Sequence, residues 1–170
     1  MKKALIISIF LFAAIGCQKK EEPGAQYQFP SGQPQITQEV NLLKEAVNKD
    51  PNNTDAWIKL GNIMMDNNRN NEAIDAYQKA LAIDSGNVDI RVDMATCYRK
   101  AGSSDIAAKE YKKAIKINPD HLNAHRNLAI VLAYDLKDKK QAMHEFETTL
   151  KLAPNAPEAE QIKKEIIRLR

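Results

Sequence analysis

The stretch WIKLGNIM at residues 57–64 decides the fold, because its pattern returns twice at a fixed distance. RVDMATCY at residues 91–98 and HRNLAIVL at residues 125–132 repeat its order of large and small side chains, and each copy begins 34 residues after the one before. Apolar residues three and four positions apart predict an amphipathic helix in each copy. A period near 34 residues predicts stacked helical units that bury their apolar faces against one another.

The second half of each unit repeats as well. An alanine is followed four residues later by an aromatic residue, in the pairs Ala73 and Tyr77, Ala107 and Tyr111, and Ala142 and Phe146. We predict helix pairs over 54–67 with 71–83, 88–101 with 105–117, and 122–135 with 139–152. The third unit has one extra residue in its 134–141 segment.

These columns resemble the tetratricopeptide repeat (TPR), whose signature is Trp-x2-Leu-Gly-x2-Tyr, then Ala-x3-Phe, then Pro. Residues 57–61 match the opening of that signature, whereas Arg91 and His125 occupy the Trp column in the later units, Ser85 replaces a turn proline and Thr149 replaces an alanine. The resemblance implies an all-α, right-handed superhelical α-solenoid of about three TPR helical hairpins with flanking capping helices.

The repeat register predicts how the chain is divided. The three repeats are expected at residues 54–87, 88–121 and 122–156. Residues 35–53 are interpreted as a half-repeat with an N-terminal capping helix. Residues 157–170 are interpreted as a C-terminal capping helix that begins with Pro157 at its first helical position and runs over 157–169.

The chain begins MKKALIISIFLFAAIGC, which has the order of a secretory signal: two lysines, an apolar segment at 4–14 and small residues. That apolar segment is shorter than the roughly 20 residues a membrane span needs. Residues 14–17 resemble the lipobox of bacterial lipoproteins, although alanine replaces the commonest leucine at residue 14. The resemblance implies that residues 1–16 are removed and that Cys17 carries the lipid, with an ordinary signal as the alternative. The expected location is the cell envelope, on the periplasmic face of the outer membrane in a Gram-negative bacterium.

Residues 17–34 follow as a predicted flexible tether, because Pro, Gly and Ser interrupt any regular element and few apolar residues are present. The alternative is that the segment 27–29, Tyr-Gln-Phe, docks on the protein's own groove or on a partner.

Composition narrows the function. The chain has 25 basic and 22 acidic residues, and the predicted signal would remove two of the basic ones. Lys and Arg do not cluster on one predicted face, which argues against nucleic acid as a partner. No nucleophile–base pair, phosphate loop or paired-carboxylate motif stands out, so neither catalysis nor a cofactor is predicted.

The TPR resemblance implies a concave groove lined by the first helix of each pair. Carried over by register, its predicted partner-binding residues are Asp55, Ile58, Asn62, Met65, Val92, Thr96, Arg99, Asn123, Arg126, Ile130 and Tyr134. Ile58, Val92 and Ile130 occupy columns that packing does not require to be apolar, which favours an apolar stripe for an extended peptide or a helix. Chaperone-binding members clamp a peptide's terminal carboxylate with Lys and Asn; here only Asn62 and Arg126 could serve, so capture of a free C-terminus by that clamp is not expected.

Three further residues are of types that often form metal or redox sites. His121 and His125 have the spacing of metal ligands on a helix, but a third ligand is not evident, so structural roles are favoured and no metal is predicted. Cys97 is expected to be a small buried side chain.

The leading hypothesis is therefore a lipid-anchored scaffold that binds envelope proteins or a peptide segment in its groove. The alternatives are a self-associating spacer and, less favoured, a carrier of a small ligand or metal. Similar repeats occur in cytochrome c maturation factors, but those are usually tied to membrane spans, which this sequence does not predict, so that role is not favoured here.

Overall fold

Helices make up most of the computed structural model, which describes residues 34–170, with side chains from residue 36 onward. The helices are α1 (Pro34–Lys49), α2 (Thr54–Asp66), α3 (Asn70–Ile83), α4 (Val88–Lys100), α5 (Ser104–Ile117), α6 (Leu122–Ile130), α7 (Lys139–Leu152) and α8 (Ala159–Leu169). Helix α6 continues directly into a π-helical turn over Val131–Asp135. The predicted signal, Cys17 and the 27–29 segment lie outside these residues.

The all-helical prediction is confirmed, and the helices pack as antiparallel pairs α2–α3, α4–α5 and α6–α7. The six helices of these pairs begin within one residue of the positions that the periodicity predicted. None of the helices in residues 34–170 combines the length and apolar character needed to cross a bilayer.

One predicted boundary is wrong, because α8 begins at Ala159 and not at Pro157. Two short turns intervene, closed by hydrogen bonds from the Ala156 N–H to the Ala153 carbonyl and from the Ala159 N–H to the Ala156 carbonyl. Glu158 precedes the helix, and its side chain is engaged with Arg126.

The turns between repeats use the same chemistry three times. Asp50, Asp84 and Asn118 each accept the backbone N–H two residues further on through a side-chain oxygen. Three residues after each comes the helix N-cap: Asn53, Asn87 or His121 accepts the N–H of the third residue along. Such local acceptors satisfy N–H groups that the first turn of a helix leaves free, and they stop one helix and start the next.

The Trp column of the signature fixes each first helix to the turn before it. Trp57 Nε1 donates to the Pro51 carbonyl oxygen at 2.9 Å, and an Arg91 guanidinium nitrogen donates to the Ser85 carbonyl oxygen at 2.9 Å. His125 Nε2 lies 2.8 Å from the Pro119 carbonyl oxygen. Arg91 and His125 therefore keep the donor that Trp provides, although their side chains differ in shape. We refer to these three residues as the turn-anchoring column.

The residue facing this column on the second helix changes with it. Ala76 stands opposite Trp57 in register, whereas Glu110 accepts from Arg91 at 2.9 Å and Glu145 lies 2.6 Å from His125 Nδ1. Arginine and histidine have a second nitrogen that needs a polar partner when buried, and tryptophan does not. Each repeat therefore has its own matched pair.

The apolar core forms two clusters along the stack. The first joins α1 to α4 around Tyr77 and Met64, and the second extends from α4 to α8 around Tyr111 and Phe146. Tyr77 has no exposed surface and lies against the backbone at Gly61, where an added Cβ would stand 2.4 Å from the ring. The small residue at this position thus allows α2 and α3 to approach closely.

Candidate protein-binding face

Polar bridges join α4 to α6 and its π turn, and they join α6 to the segment before α8. His121, at the start of α6, lies 2.9 Å from the Asp89 carboxylate on α4. Arg99 on α4 donates to Asp135 in the π turn at 2.6 Å. Arg126 on α6 donates to Glu158, just before α8, at 2.7 Å. Helices α4 and α6 therefore lie side by side, and α2 is the first helix of the repeat before them. The groove prediction concerns the surface of α2, α4 and α6, which we call the first-helix face.

In one column of this face, the type of residue matches the aromatic residue that lies behind it. The Tyr77 hydroxyl donates to Asn62 at 2.8 Å. The Tyr111 hydroxyl lies 2.9 Å from the Thr96 hydroxyl.

In the third repeat the aromatic is Phe146, which has no hydroxyl, and the corresponding residue is Ile130, packed against the same cluster as Phe146. A polar residue thus stands at positions 62 and 96, where a tyrosine hydroxyl needs a hydrogen-bond partner. An apolar residue stands at position 130, where phenylalanine needs none.

The rear half of the face, which carries Arg99, Arg126 and Tyr134, is engaged within the chain. Asp135 accepts hydrogen bonds from Arg99 and from the Ser104 hydroxyl, and the Arg99 guanidinium lowers the pKa of the Asp135 carboxyl. Reciprocally, the hydrogen bond to Asp135 raises the pKa of Arg99.

Tyr134 completes the rear half. Its hydroxyl contacts Glu165 and Arg168 on α8, and the Arg168 guanidinium also lies over its ring. Partial desolvation, followed by the hydrogen bond to Glu165, raises the pKa of Tyr134.

The front half, formed by α2 and by α4 up to Asp93, includes carboxylates that have no side-chain hydrogen bond or ion pair among residues 34–170. Burial raises the pKa of Asp93, and the neighbouring Asp89 and Asp66 carboxylates raise it further. Among residues 34–170, no hydrogen bond or ion pair is formed by the Asp93 side chain, although His121 is near enough to offset part of the repulsion. Asp66 and Asp55 are exposed on the same half.

The predicted groove residues therefore have different fates. Asp55 and Asn123 are exposed, while Ile58 and Met65 are partly buried beside the first core cluster. Val92 is 4% exposed and belongs to the second core cluster, so its interpretation as part of an accessible apolar stripe is wrong. The physical reason is that this column of α4 faces the next repeat.

The side chains suggested for a carboxylate clamp are both occupied. Asn62 accepts the Tyr77 hydroxyl, and Arg126 is paired with Glu158. Their geometry favours internal support over capture of a peptide's terminal carboxylate.

Sequence reasoning missed Asp93, Asp135 and Glu158. Asp135 lies in the segment that contains the extra residue of the third repeat, so that irregularity was the available signal. The Asp138 N–H bonds to the carbonyl of Leu132, six residues back, whereas the matching bonds of Arg69 and Ser103 reach five residues back. The insertion is thus absorbed by the π turn, a feature common at functional sites.

His121 and His125, the two histidines with metal-ligand spacing, have structural partners. His121 Nδ1 accepts the Ala124 N–H, and His125 lies between the Glu145 carboxylate and the Pro119 carbonyl. In residues 34–170, His, Cys, Asp and Glu form no group of three placed to hold a metal ion. Cys97 is fully buried, as expected, and burial raises the pKa of its thiol to about 11.

Comparison with known proteins identifies the family. The sequence model described as the cytochrome c-type biogenesis protein H TPR domain matches residues 24–160. The chain belongs to this family. Its stacked hairpins are thus TPR repeats, which form a protein–protein interaction domain, and TPR domains bind peptide partners.

Individual relatives agree on the repeat. The human protein O-mannosyl-transferase TMTC3 is 30% identical over 92 residues, which are 54% of this chain and 10% of that protein. The crystal structure of MamA superposes with a TM-score of 0.70 at 19% identity, covering 79% of this chain and 84% of that one. The first TPR of Spaghetti (RPAP3), solved with the HSP90 peptide SRMEEVD, has a TM-score of 0.59 at 23% identity and covers 78% and 90%. At these identities the two structures support the fold alone.

Proposed function

We propose that this TPR protein is a non-catalytic scaffold, anchored to the envelope by a lipid on Cys17, that binds a peptide or a partner helix on its first-helix face. The Ala-Ile-Gly-Cys sequence at 14–17 supports the anchor, and the periplasmic face of the outer membrane is the location we infer. The family match supports a role in assembling envelope complexes, with cytochrome c biogenesis as the pathway to test first.

The observation that carries this proposal is the contrast between the two halves of the first-helix face. In the rear half, the guanidinium groups of Arg99 and Arg126 are engaged in ion pairs within the chain. In the front half, Asp93 has no hydrogen-bonding partner among the described residues, and the side chains of Ile58 and Met65 on α2 are partly exposed. Apolar surface next to uncompensated polar groups is what a peptide-binding groove offers.

The chemistry of the front half also restricts the partner. Asp66, Asp89 and Asp93 raise the cost of adding another negative charge, while a lysine or arginine brought close to them would relieve their repulsion. We therefore expect a segment that combines apolar side chains with a basic residue, bound along α2 and α4.

Enzymatic activity is not part of the proposal. The mannosyl-transferase relative is matched over only 10% of its length. Its activity therefore gives no reason to assign a transferase reaction to this chain.

The test is in-cell crosslinking of the full-length protein, followed by mass spectrometry of captured partners. Asp66→Lys reverses an exposed charge of the front half, and Asp75→Lys makes the same change at an exposed position of α3, a second helix. We expect the native protein and Asp75→Lys to capture the same envelope partners and Asp66→Lys to lose them. Equal capture by all three forms would contradict the groove assignment.

The identity of the captured proteins tests the pathway separately. Components of c-type cytochrome maturation would support the finer proposal, and groove-dependent partners from another complex would leave only the scaffold role. Incorporation of labelled palmitate into the native protein but not into Cys17→Ser tests the anchor.

A further inference from the structure

Helix α1 stands in the register of a second helix, but its first helix is missing from the described residues. In α3 the columns Ala73, Ala76 and Ala80 face α2 and are almost completely buried. In α1 the corresponding residues are Glu39, Leu42 and Ala46, and Leu42 is 58% exposed. The α1 residues that pack inward are the neighbouring ones, such as Val40 and Val47.

The exposed strip has the spacing of a helix–helix seam. Glu39, Leu42, Ala46 and Lys49 follow one another at intervals of three, four and three residues, which place their side chains along one side of α1. Among residues 34–170, neither Glu39 nor Lys49 has an ion-pair partner. We call these four residues the α1 strip.

The α1 strip is complementary to itself in the antiparallel direction. Leu42 and Ala46 are equally distant from residue 44, and so are Glu39 and Lys49. Two strips related by a twofold axis at residue 44 place a large side chain opposite a small one, twice. The same axis places a carboxylate opposite an ammonium group, also twice. Isologous contacts of this kind use one patch on both copies and close after two.

We propose that the α1 strip is the docking surface for α1 of a second copy of this chain, packed antiparallel. Leu42 lies against Ala46 of the second copy, and Glu39 pairs with Lys49 of the second copy. The proposal is independent of the proposed function, because α1 contributes no residue to the first-helix face.

The other end of the stack shows why the assembly stops at a dimer. In α8 the columns of Leu60 and Gly61 are occupied by Lys163 and Lys164, both exposed. A Cβ at Gly61 already meets Tyr77, so a lysine in that column prevents a further second helix from packing as α3 does. Exposed lysines of this kind oppose end-to-end growth of the array.

The dimer is expected to be weak. One pair of four-turn helices buries much less than the roughly 1,200 Å² of a stable interface. Association is therefore expected only at high local concentration, such as that of a protein confined to a membrane.

Sedimentation equilibrium of the full-length protein in density-matched detergent tests the proposal. Glu39→Lys and Lys49→Glu each place like charges across the seam, and each should weaken association by about tenfold or more. The double variant Glu39→Lys/Lys49→Glu restores opposite charges and should return the native association. Both charged positions are exposed, so unchanged thermal unfolding of the three variants provides the control for folding.

Three results would overturn the proposal. One is a monomer at every concentration, and another is a dimer that neither single charge reversal weakens. The third result concerns two cysteine variants. We expect Leu42→Cys/Ala46→Cys to form a disulfide between two chains. If Tyr27→Cys/Leu42→Cys forms a disulfide within one chain instead, the proposal is wrong. That last result would show that the preceding segment of the same chain covers the strip.

Discussion

Tyr77 illustrates how single side chains set the distances in this protein. Its ring has no exposed surface, it rests on the α2 backbone at Gly61, and its hydroxyl reaches through to Asn62 on the first-helix face. The same residue therefore determines both how closely two helices approach and which polar group the face presents. Gly61 is accordingly a packing residue, even though glycine weakens a helix.

Gly61→Ala should destabilise the protein by roughly 1–2 kcal/mol. The added methyl would lie within 3 Å of three Tyr77 ring atoms, which places its cost in the upper part of the overpacking range, at about 2–3 kcal/mol, and the better helix propensity of alanine returns only about 1 kcal/mol. Urea unfolding monitored by circular dichroism measures the change. Adding Tyr77→Leu to Gly61→Ala should recover part of the loss, because the clash is with ring atoms. An unfolding free energy of Gly61→Ala equal to that of the native chain would contradict this view of the contact.

Asp93→Asn should stabilise the chain at neutral pH by roughly 0.5–1 kcal/mol, as removal of an unfavourable charge commonly does. Burial and the adjacent Asp89 and Asp66 raise the pKa of Asp93 above the model-peptide value of 3.8. Because the pKa of Asp93 is raised in the folded state, protonation of Asp93 favours folding. This contribution to the free energy of unfolding is fully present below the unfolded-state pKa and is lost as the pH rises through the folded-state pKa. Protonated aspartic acid resembles asparagine, so the two proteins should converge near pH 3.

Thermal unfolding between pH 3 and pH 7 tests this expectation. Asp75→Asn on the exposed side of α3 serves as the control and should change the free energy of unfolding by less than about 0.5 kcal/mol at every pH. A pH-independent difference between Asp93→Asn and the native protein would show that the effect is one of packing and not of charge.

At the scale of the helical pair, each repeat solves the same anchoring problem with different chemistry. The turn-anchoring column always donates to the carbonyl six residues earlier, while its partner on the second helix is Ala76, Glu110 or Glu145. A buried glutamate without a cation is costly, so the two positions of a pair are coupled.

His125→Trp should therefore destabilise the third repeat by about 1–3 kcal/mol, since it leaves the largely buried Glu145 carboxylate without its partner. Adding Glu145→Ala recreates the pair found in the first repeat and should recover most of that loss. A double-mutant cycle in urea measures the coupling between the two positions, and additive effects of the two substitutions would contradict it. The equivalent cycle on Arg91 and Glu110 provides a comparison in which the pair is an ion pair.

The limits of sequence-based prediction also appear at this scale. Helix positions followed from apolar spacing and turn residues, both of which are local signals, and the six paired helices begin within one residue of expectation. Val92 was misinterpreted because the sequence shows only which side of its helix a residue occupies. Whether the next repeat covers that side depends on packing. The pairing of Arg99 with Asp135 could not be predicted, because it depends on an added residue that the period places only approximately.

At the scale of the whole molecule, the two ends of the stack differ. The C-terminal end exposes Lys163 and Lys164 where a further helix would pack, and Ile167 beside them is 69% exposed. The N-terminal end exposes the α1 strip. A terminal repeat with a polar outer side keeps a stacked array soluble, which is the role we assign to α8.

Lys163→Leu/Lys164→Ala should make the protein associate in a concentration-dependent way, because with Ile167 it creates a continuous apolar patch on α8. Light scattering during a concentration series measures the mass, and it should rise above that of the native chain at equal concentration. Lys112→Leu/Lys113→Ala makes the same change on α5 and serves as the matched control. An unchanged mass for the α8 variant would show that these lysines do not protect the end.

The π turn also has a consequence for how such genes can be rearranged. Tandem repeats invite recombination between their copies, and an exchange is harmless only where the copies are interchangeable. A chimera could replace residues 122–138 with the equivalent segment of the second repeat, which has the regular length of 34 residues. That chimera would gain a regular helix and lose one residue. Asp135 would then no longer meet Arg99. The third repeat is thus not interchangeable with its neighbours, because its irregular length sets the contact between Arg99 and Asp135 on the first-helix face.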